Sequence, residues 1–433
     1  MQLKPIIELL RREPSLRPFF LARAQSSLGT GAGYVGLLVL AYDRLESPWA
    51  ISLILLADFL PTTFLGPVFG AAADRWSRRT CAIVGDVIRA IAFVAIGLVG
   101  GFVPMLALAL LAGLGTGLFN PAVLAALPGM VDRERLPAAT SLFGALADIG
   151  FTLGPALAAL AFLLAGPEEV MIANGVTFAV SAILLARVPF GAVRAGERRE
   201  ESRSLLSDAR AGVRAVREMP GVGVIIVASA SLLLFAGLFN VGELLLATDE
   251  LDAGGEGFAI LIAVFGVGVT VGSLAGTSAD GLAAYKHRYL VGLVLCGCGW
   301  FAAGLAPVYA VAVPAFALAG VGNGFVLVHE RLLLQTVVRD ELLGRVFGLK
   351  EAASAWGWVA AFLMAGALFG IVDTRVLLVF GGVGAITIGA VAAWSLRSTW
   401  RTEPRAMPVA PVLPELVDGL APEPAAKSAS PVS

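Results

Sequence analysis

Apolar stretches of about twenty residues fill nearly the whole of this chain, and the loops between them are too short to fold alone. A stretch of that length crosses a hydrocarbon core of about 30 Å as a helix. In lipid every backbone N–H and C=O must be bonded internally, which leaves helices or closed barrels. Continuous apolar runs, without strict alternation, select helices. Of 433 residues, 58% are hydrophobic and 15% charged, where a soluble domain carries about 25% charged residues. Mean hydropathy is +0.85. The pattern predicts twelve spans, at 19–41, 48–72, 80–101, 104–127, 137–165, 170–189, 221–247, 258–279, 289–307, 311–338, 346–371 and 375–394.

The expected organisation is a cytoplasmic segment (1–18), a six-helix bundle (19–190), a linker (191–220), a second six-helix bundle (221–398) and a disordered cytoplasmic tail (399–433). The linker is rich in Arg, Glu and Ser, with Leu205, Leu206, Ala209, Val213 and Val216 at helical spacing, the signature of a solvated amphipathic helix. Met1 to Arg17 is basic and amphipathic and shows no leader-cleavage pattern. Lys and Arg gather in one set of short loops, while the opposite set holds only Arg44 and Arg375 among acids such as Asp43, Glu168, Asp249 and Asp373. The positive-inside rule then puts both termini in the cytoplasm, which requires an even number of spans. The expected location is the cytoplasmic membrane. The net charge of −1 gives no reason to expect a nucleic-acid partner, and two histidines with three scattered cysteines offer no metal or cofactor framework.

The two bundles are related by an internal repeat. Gly66, Gly70 and Asp74 recur as Gly272, Gly276 and Asp280 at an offset of 206, and Gly113, Gly115 and Gly117 recur as Gly320, Gly322 and Gly324 at 207. Two parallel copies imply a pseudo-two-fold axis along the membrane normal with a site between the halves. The stretch Gly70, Asp74, Arg75, Arg78, Arg79 after the second span resembles the signature loop of the major facilitator superfamily. Ser77 stands where that family often has Gly, and Gly281 replaces the arginine in the second copy. Gly150, Gly154 and Pro155 resemble the core of the family's antiporter motif, with Ala158 and Ala159 in place of its last glycines. Asp86-Val87-Ile88-Arg89 and Gly344-Arg345-Val346-Phe347-Gly348 resemble the branch that exports macrolides and siderophores. The resemblance covers roughly residues 15 to 400. It implies an all-α membrane protein of two pseudo-symmetric six-helix bundles, and a conformational latch in which Asp74 meets Arg345 and the start of span 11 while Arg78 ties to Asp132. The plainer alternative for that loop is a topology signal alone.

Asp58 and Asp148 lie about ten residues from their span ends, near the bilayer centre. A charge there costs at least about 2.5–3.5 kcal/mol unless it meets water or a partner. Two readings stand: proton-coupling groups in the cavity, or carboxylates that tie one helix to another. Glu243 either lines the outer vestibule or snorkels to the interface; Glu330 and Arg331 pair structurally or meet substrate. Asp86 and Arg89 read as a structural ion pair or as part of the latch network, Arg23 as a snorkelling side chain. Asn120-Pro121 and Pro155 are candidate soft points, and the GxGxG stretches, with no strand before them, read as helix packing rather than nucleotide binding. Phe64, Phe119, Phe151, Phe235, Phe239, Trp356 and Trp358 are candidate apolar lining. Span 4 lacks the arginine of the family's antiporters before Gly113, which counts against a standard proton relay.

With no nucleophile motif or His/Cys/Asp cluster at membrane depth, no enzyme activity is expected. The expected function is secondary active transport: proton-coupled export of amphipathic small molecules by alternating access, by a monomer in the lipid bilayer. The alternatives are an importer of a small polar metabolite and a non-transporting sensor on the same fold.

Overall fold

The computed structural model describes residues 3–190, 213–214, 216–276 and 281–399, and for a few of these, Asp74 among them, the backbone alone. Most of the expected linker, the tail beyond residue 399 and the second loop copy from Thr277 to Asp280 lie outside the described residues. No strand occurs among those described. Helix α1 (Leu3–Arg12) precedes the spanning helices α2 (Arg17–Leu45), α3 (Pro48–Phe64), α4 (Gly66–Arg75), α5 (Arg78–Leu98), α6 (Phe102–Met130), α7 (Leu136–Phe162) and α8 (Pro167–Leu185). The second half holds α9 (Pro220–Leu245), α10 (Gly254–Gly276), α11 (Leu282–Gly304), α12 (Tyr309–Val337), α13 (Asp340–Leu368) and α14 (Thr374–Ser395). With α3 and α4 sharing one crossing, these make twelve spans.

Nine of the described helices are long and apolar enough to cross a membrane on composition alone. The others have visible reasons for falling short. Arg23 and Gln25 dilute α2, and Lys286, His287 and Arg288 dilute α11. The second span, expected to be continuous, is broken at Leu65, where the backbone takes φ −94 and ψ 5. Pro67 has no N–H to offer the Thr63 carbonyl, nor Pro61 one for Ala57, so two rungs of the ladder are missing within one stretch. Helix α13 starts six residues before the expected boundary, with Asp340 and Glu341 in its first turn, where the helix dipole favours acids. By contrast α6 runs unbroken through Pro121, and α7 through Pro155.

The repeat is visible as packing. Gly85 on α5 and Gly115 on α6 face each other so closely that a Cβ on either would sit 2.7–2.8 Å from the other's carbonyl oxygen, and Gly292 on α11 and Gly322 on α12 repeat this at the same distances. Gly113 likewise has no room for a Cβ beside the Asp58 carbonyl, nor Gly320 beside that of Phe265. All these pairs are 207 residues apart. In the first half Gly150 and Gly154 close on Ser27 and Gly31, so the antiporter-like motif packs α7 against α2.

One end of the molecule carries Glu46, Glu168, Asp249, Glu250 and Asp373, and is called the acidic end here; the other, carrying α1 and the loop before α5, is the basic end. The halves meet through α7 with α10 and through α3 with α13, two contacts that the two-fold exchanges.

Replacing Gly115 or Gly322 by Ala is expected to cost about 1–3 kcal/mol through overpacking and to lower the unfolding temperature of the purified protein. Gly344→Ala, with nothing within 4 Å of the added methyl, is expected to leave it unchanged. Equal shifts for all three in a thermal-shift assay would contradict the packing account.

Candidate functional site

The side chains that join the halves run from the acidic end to the wall of the cavity described below, where Phe64 on α3 meets Trp356 on α13 edge-on at 5.2 Å. Phe59 on α3 meets Trp358 and Phe362 on α13, with ring centroids 6.4 and 6.3 Å away. Trp49 fills the space over Gly366. Thr152 on α7 lies 3.5 Å from Thr270 on α10. On the axis itself, Tyr34 on α2 donates to Asn240 Oδ1 on α9 at 2.9 Å, and Tyr42 donates to Asp249 Oδ1. These partners are 206 and 207 residues apart. Asp249 belongs to a π-helical turn, Leu246–Glu250, and such a turn takes up more chain than an α turn.

Toward the basic end the halves part around a cavity of about 660 Å³. Its walls include Phe59, Thr62, Thr63 and Phe64 from the end of α3, and Lys350, Glu351, Ser354, Trp356 and Trp358 from α13. The break at Leu65 therefore lies at the cavity rim, with the Thr63 carbonyl stripped of its usual donor. Below it Gly66, Gly70, Gly344 and Gly348 all have open space where a Cβ would go. Of the expected aromatic lining, Phe64, Trp356 and Trp358 line this cavity. Phe239 does not: it stacks on Trp300 and packs against the tilted Phe316 ring inside the second half. Phe119 lies against Arg89, Phe235 packs edge-on to Phe380, and Phe151 is exposed on α7.

Most charges at depth have a partner, on the same helix or on a neighbouring one. Asp86 and Arg89, one turn apart on α5, form a buried ion pair, and the Arg89 guanidinium also lies 4.1 Å over Phe119 and 4.2 Å over Phe178. Arg23, expected to snorkel, instead lies 4.3 Å over the Phe143 ring. Asp58 is half-buried within electrostatic reach of Arg89. Asp148 is exposed, and its field partners are Arg331 from the other half and Arg23. Glu330 is buried and pairs with Lys350 at 3.4 Å, which in turn lies 3.1 Å from Glu351. Tyr289 and Ser229, 3.4 Å apart, lie beside this cluster. Lys350, Tyr289 and Ser229 carry no signal in the sequence that marks them out. Lys350 becomes visible only once α13 begins at Asp340, which carries it deep enough to face α12.

The basic end is held by cations on the last turns of helices, where the helix dipole favours positive charge. Arg78 donates to the Ala125 carbonyl and Arg79 to that of Ala186. In the second half Lys286 donates to Leu396 O and Thr399 O at 3.1 and 2.9 Å, and Arg288 to Ala275 O and Gly276 O at 2.8 and 2.9 Å. The expected Arg78–Asp132 tie is not formed: Asp132 is exposed and lies 3.9 Å from Arg135, which binds Glu13 at 2.5 Å. The reason is that Arg78 is engaged by the last turns of α6. The Asp74 side chain lies outside the described atoms, while Arg75 is exposed at the end of α4 and Asn120 is exposed on α6. At the acidic end the two arginines each staple one half: Arg44 reaches Glu168 at 3.1 Å, and Arg375 reaches Glu250 at 2.7 Å.

A duplicated helical bundle with a cavity on the seam is the build of a carrier that moves small molecules across a membrane. The family model described as Major Facilitator Superfamily matches residues 19–349, and the chain belongs to that superfamily. It is 24% identical to the uncharacterized MFS-type transporter YfiS of Bacillus subtilis (strain 168), over 88% of this chain and 93% of that one. It is 27% identical to the enterobactin exporter EntS of Shigella boydii serotype 18, over 89% and 92%. Among solved structures it resembles the nucleoside transporter NupG, with TM-score 0.68 and 14% identity over 88% of this chain and 99% of that one. It also resembles a bacterial homolog of the human lysosomal transporter Spinster in an inward-facing, occupied conformation, with TM-score 0.68 and 14% identity over 90% and 97%.

Removing one partner of a buried ion pair leaves an uncompensated charge, a loss of about 3–5 kcal/mol. Arg89→Ala is therefore expected to destabilise strongly, and Asp86→Ala/Arg89→Ala to recover part of the loss. Additive losses in thermal unfolding would show that the two groups do not act as a pair.

Proposed function

We propose that this chain is a secondary active transporter that exports amphipathic small molecules across the cytoplasmic membrane, in exchange for protons, by alternating access. Residues 19–190 and 221–398 would be the two moving halves, and the basic end would face the cytoplasm under the positive-inside rule. The observation that carries the reading is the cavity on the seam, closed by side chains at the acidic end and parted toward the basic end. In that orientation it is an inward-facing state, ready to take substrate from the cytoplasm. The walls fit an amphipathic solute. Phe59, Phe64, Trp356 and Trp358 offer apolar faces, while Thr62, Thr63, Ser354, Lys350 and Glu351 offer a few polar groups. The exporter among the relatives supports the direction.

For coupling, Asp58 and Asp148 are the proposed groups in the first half, with the Glu330–Lys350 pair and Arg331 facing them from the second. In proteoliposomes with an imposed pH gradient, flux of a lipophilic dye should follow the gradient and stop when it collapses. Gradient-independent flux in the unmutated protein rejects proton coupling. Asp58→Asn and Asp148→Asn are each expected to remove the gradient-driven component; unchanged coupled flux takes that residue out of the mechanism.

Gly70, Asp74, Arg75 and Arg345 are the proposed latch that closes the basic end in the opposite state. Asp74 would sit at the N-terminus of α13, where a helix carries about half a positive charge. A loss of about 1 kcal/mol changes a two-state ratio about fivefold. Asp74→Asn is accordingly expected to raise labelling of cysteines placed along the cavity wall from the basic side by about that factor. Unchanged labelling counts against the latch.

A further inference from the structure

Five acids lie at membrane depth among the described residues, and four have a cation in reach. Asp86 pairs with Arg89 and Glu330 with Lys350. Asp58 feels Arg89, and Asp148 feels Arg331 and Arg23. Glu243 is the exception. It is 4% exposed, with no ion pair and no hydrogen bond to its carboxylate among the described residues. It sits on α9 one turn beyond Asn240, which Tyr34 binds from the other half, and one turn before the π-helical turn. The seam that this contact closes is one that alternating access has to open.

The surroundings supply no counter-charge. From α2 the ionisable groups are Tyr34, whose hydroxyl is held by Asn240, and Tyr42, held by Asp249. On its own helix, Asp249 also accepts from Thr248, and Glu250 is taken by Arg375. From the end of α13 and from α14, Phe369 and Leu378 pack against the adjacent Gly242. No cation on any element acts on Glu243.

We infer that Glu243 is a proton-binding site of the seam: closing α2 against α9 takes up one proton on its carboxylate, and opening the seam returns that proton to water. The inference rests on the alternating-access reading above. A buried carboxylate without a partner is far costlier than a buried carboxylic acid. With the seam shut, the neutral acid is the stable form. With the seam open, water reaches the group and the carboxylate is stable. The shut state then binds one more proton than the open one. Acid favours the shut seam and alkali the open one, with a ratio that changes by up to about tenfold per pH unit for a single proton.

Nitroxides on Leu164→Cys and Ile371→Cys, exposed positions at the acidic ends of the two halves, read the seam by double electron–electron resonance in the purified full chain. Cys298→Ser removes the partly exposed native thiol. From mildly acidic to mildly alkaline buffer, the long-distance population of this parent should grow, by up to about tenfold per pH unit. In Glu243→Gln the seam should stay shut throughout. Glu243→Asp should restore the pH response, and Tyr34→Phe, which keeps the carboxyl, should retain it. An unchanged pH response in Glu243→Gln overturns the assignment, and so does a parent seam that ignores pH. Dye flux that still follows a pH gradient alongside either result would leave the export reading standing and remove Glu243 alone.

Discussion

Backbone approach at glycine holds each half of this transporter together, and the rest of the structure follows from it. Lipid is as apolar as a leucine side chain, so helices in a bilayer gain little from burying apolar surface against one another. They gain from close packing instead. Gly85 against Gly115, and Gly292 against Gly322, bring neighbouring spans to backbone contact at equivalent places in the two halves. Such contacts leave little room for sliding within a half. At the seam, glycines such as Gly266 and Gly366 meet Thr152 and Trp49 of the other half, and side chains do the rest: aromatic rings between α3 and α13, threonines between α7 and α10, and two tyrosine hydrogen bonds on the axis. These can part without breaking either bundle.

The charges obey the same division. Inside each half they are consumed by structure. Arg44 and Arg375 staple loops at the acidic end, and Arg78, Arg79, Lys286 and Arg288 donate to carbonyls at the basic end. The positive-inside bias and the helix macrodipole coincide here, because even-numbered spans end where the cations are. What remains lies at the cavity or the seam. Asp148 faces Arg331 across the gap, Lys350 is shared by Glu330 and Glu351, and Glu243 has no partner among the described residues. Those few groups are the ones that a change of state can hydrate, bury or re-pair.

Much of the fold is legible in the sequence because lipid makes local demands. The spans, their number and the 207-residue repeat need only hydropathy and spacing, and the repeat reappears as paired glycine contacts. The break at Leu65 is written in Pro61, Gly66 and Pro67, but the apolar run masks it. The site is less legible. Which way a residue faces around a helix depends on neighbours that the sequence does not place. Phe239 and Phe119 therefore read as cavity lining while they fill the bundles, and Lys350 escapes notice when the start of α13 is set six residues late. Charge alone matches Arg78 to Asp132, whereas in the fold the Ala125 carbonyl on α6 takes it.

The central claim is that two stiff halves tilt about the seam cavity. It is tested most directly by measuring distances across both ends in one sample. A label pair at the acidic end, on Leu164 and Ile371, reports one opening; a pair at the basic end, on Arg133 and Glu341, reports the other. The account predicts reciprocal changes: any condition that lengthens the first distance shortens the second. Distances that change in the same sense, or a basic-end distance fixed in every condition, would contradict it.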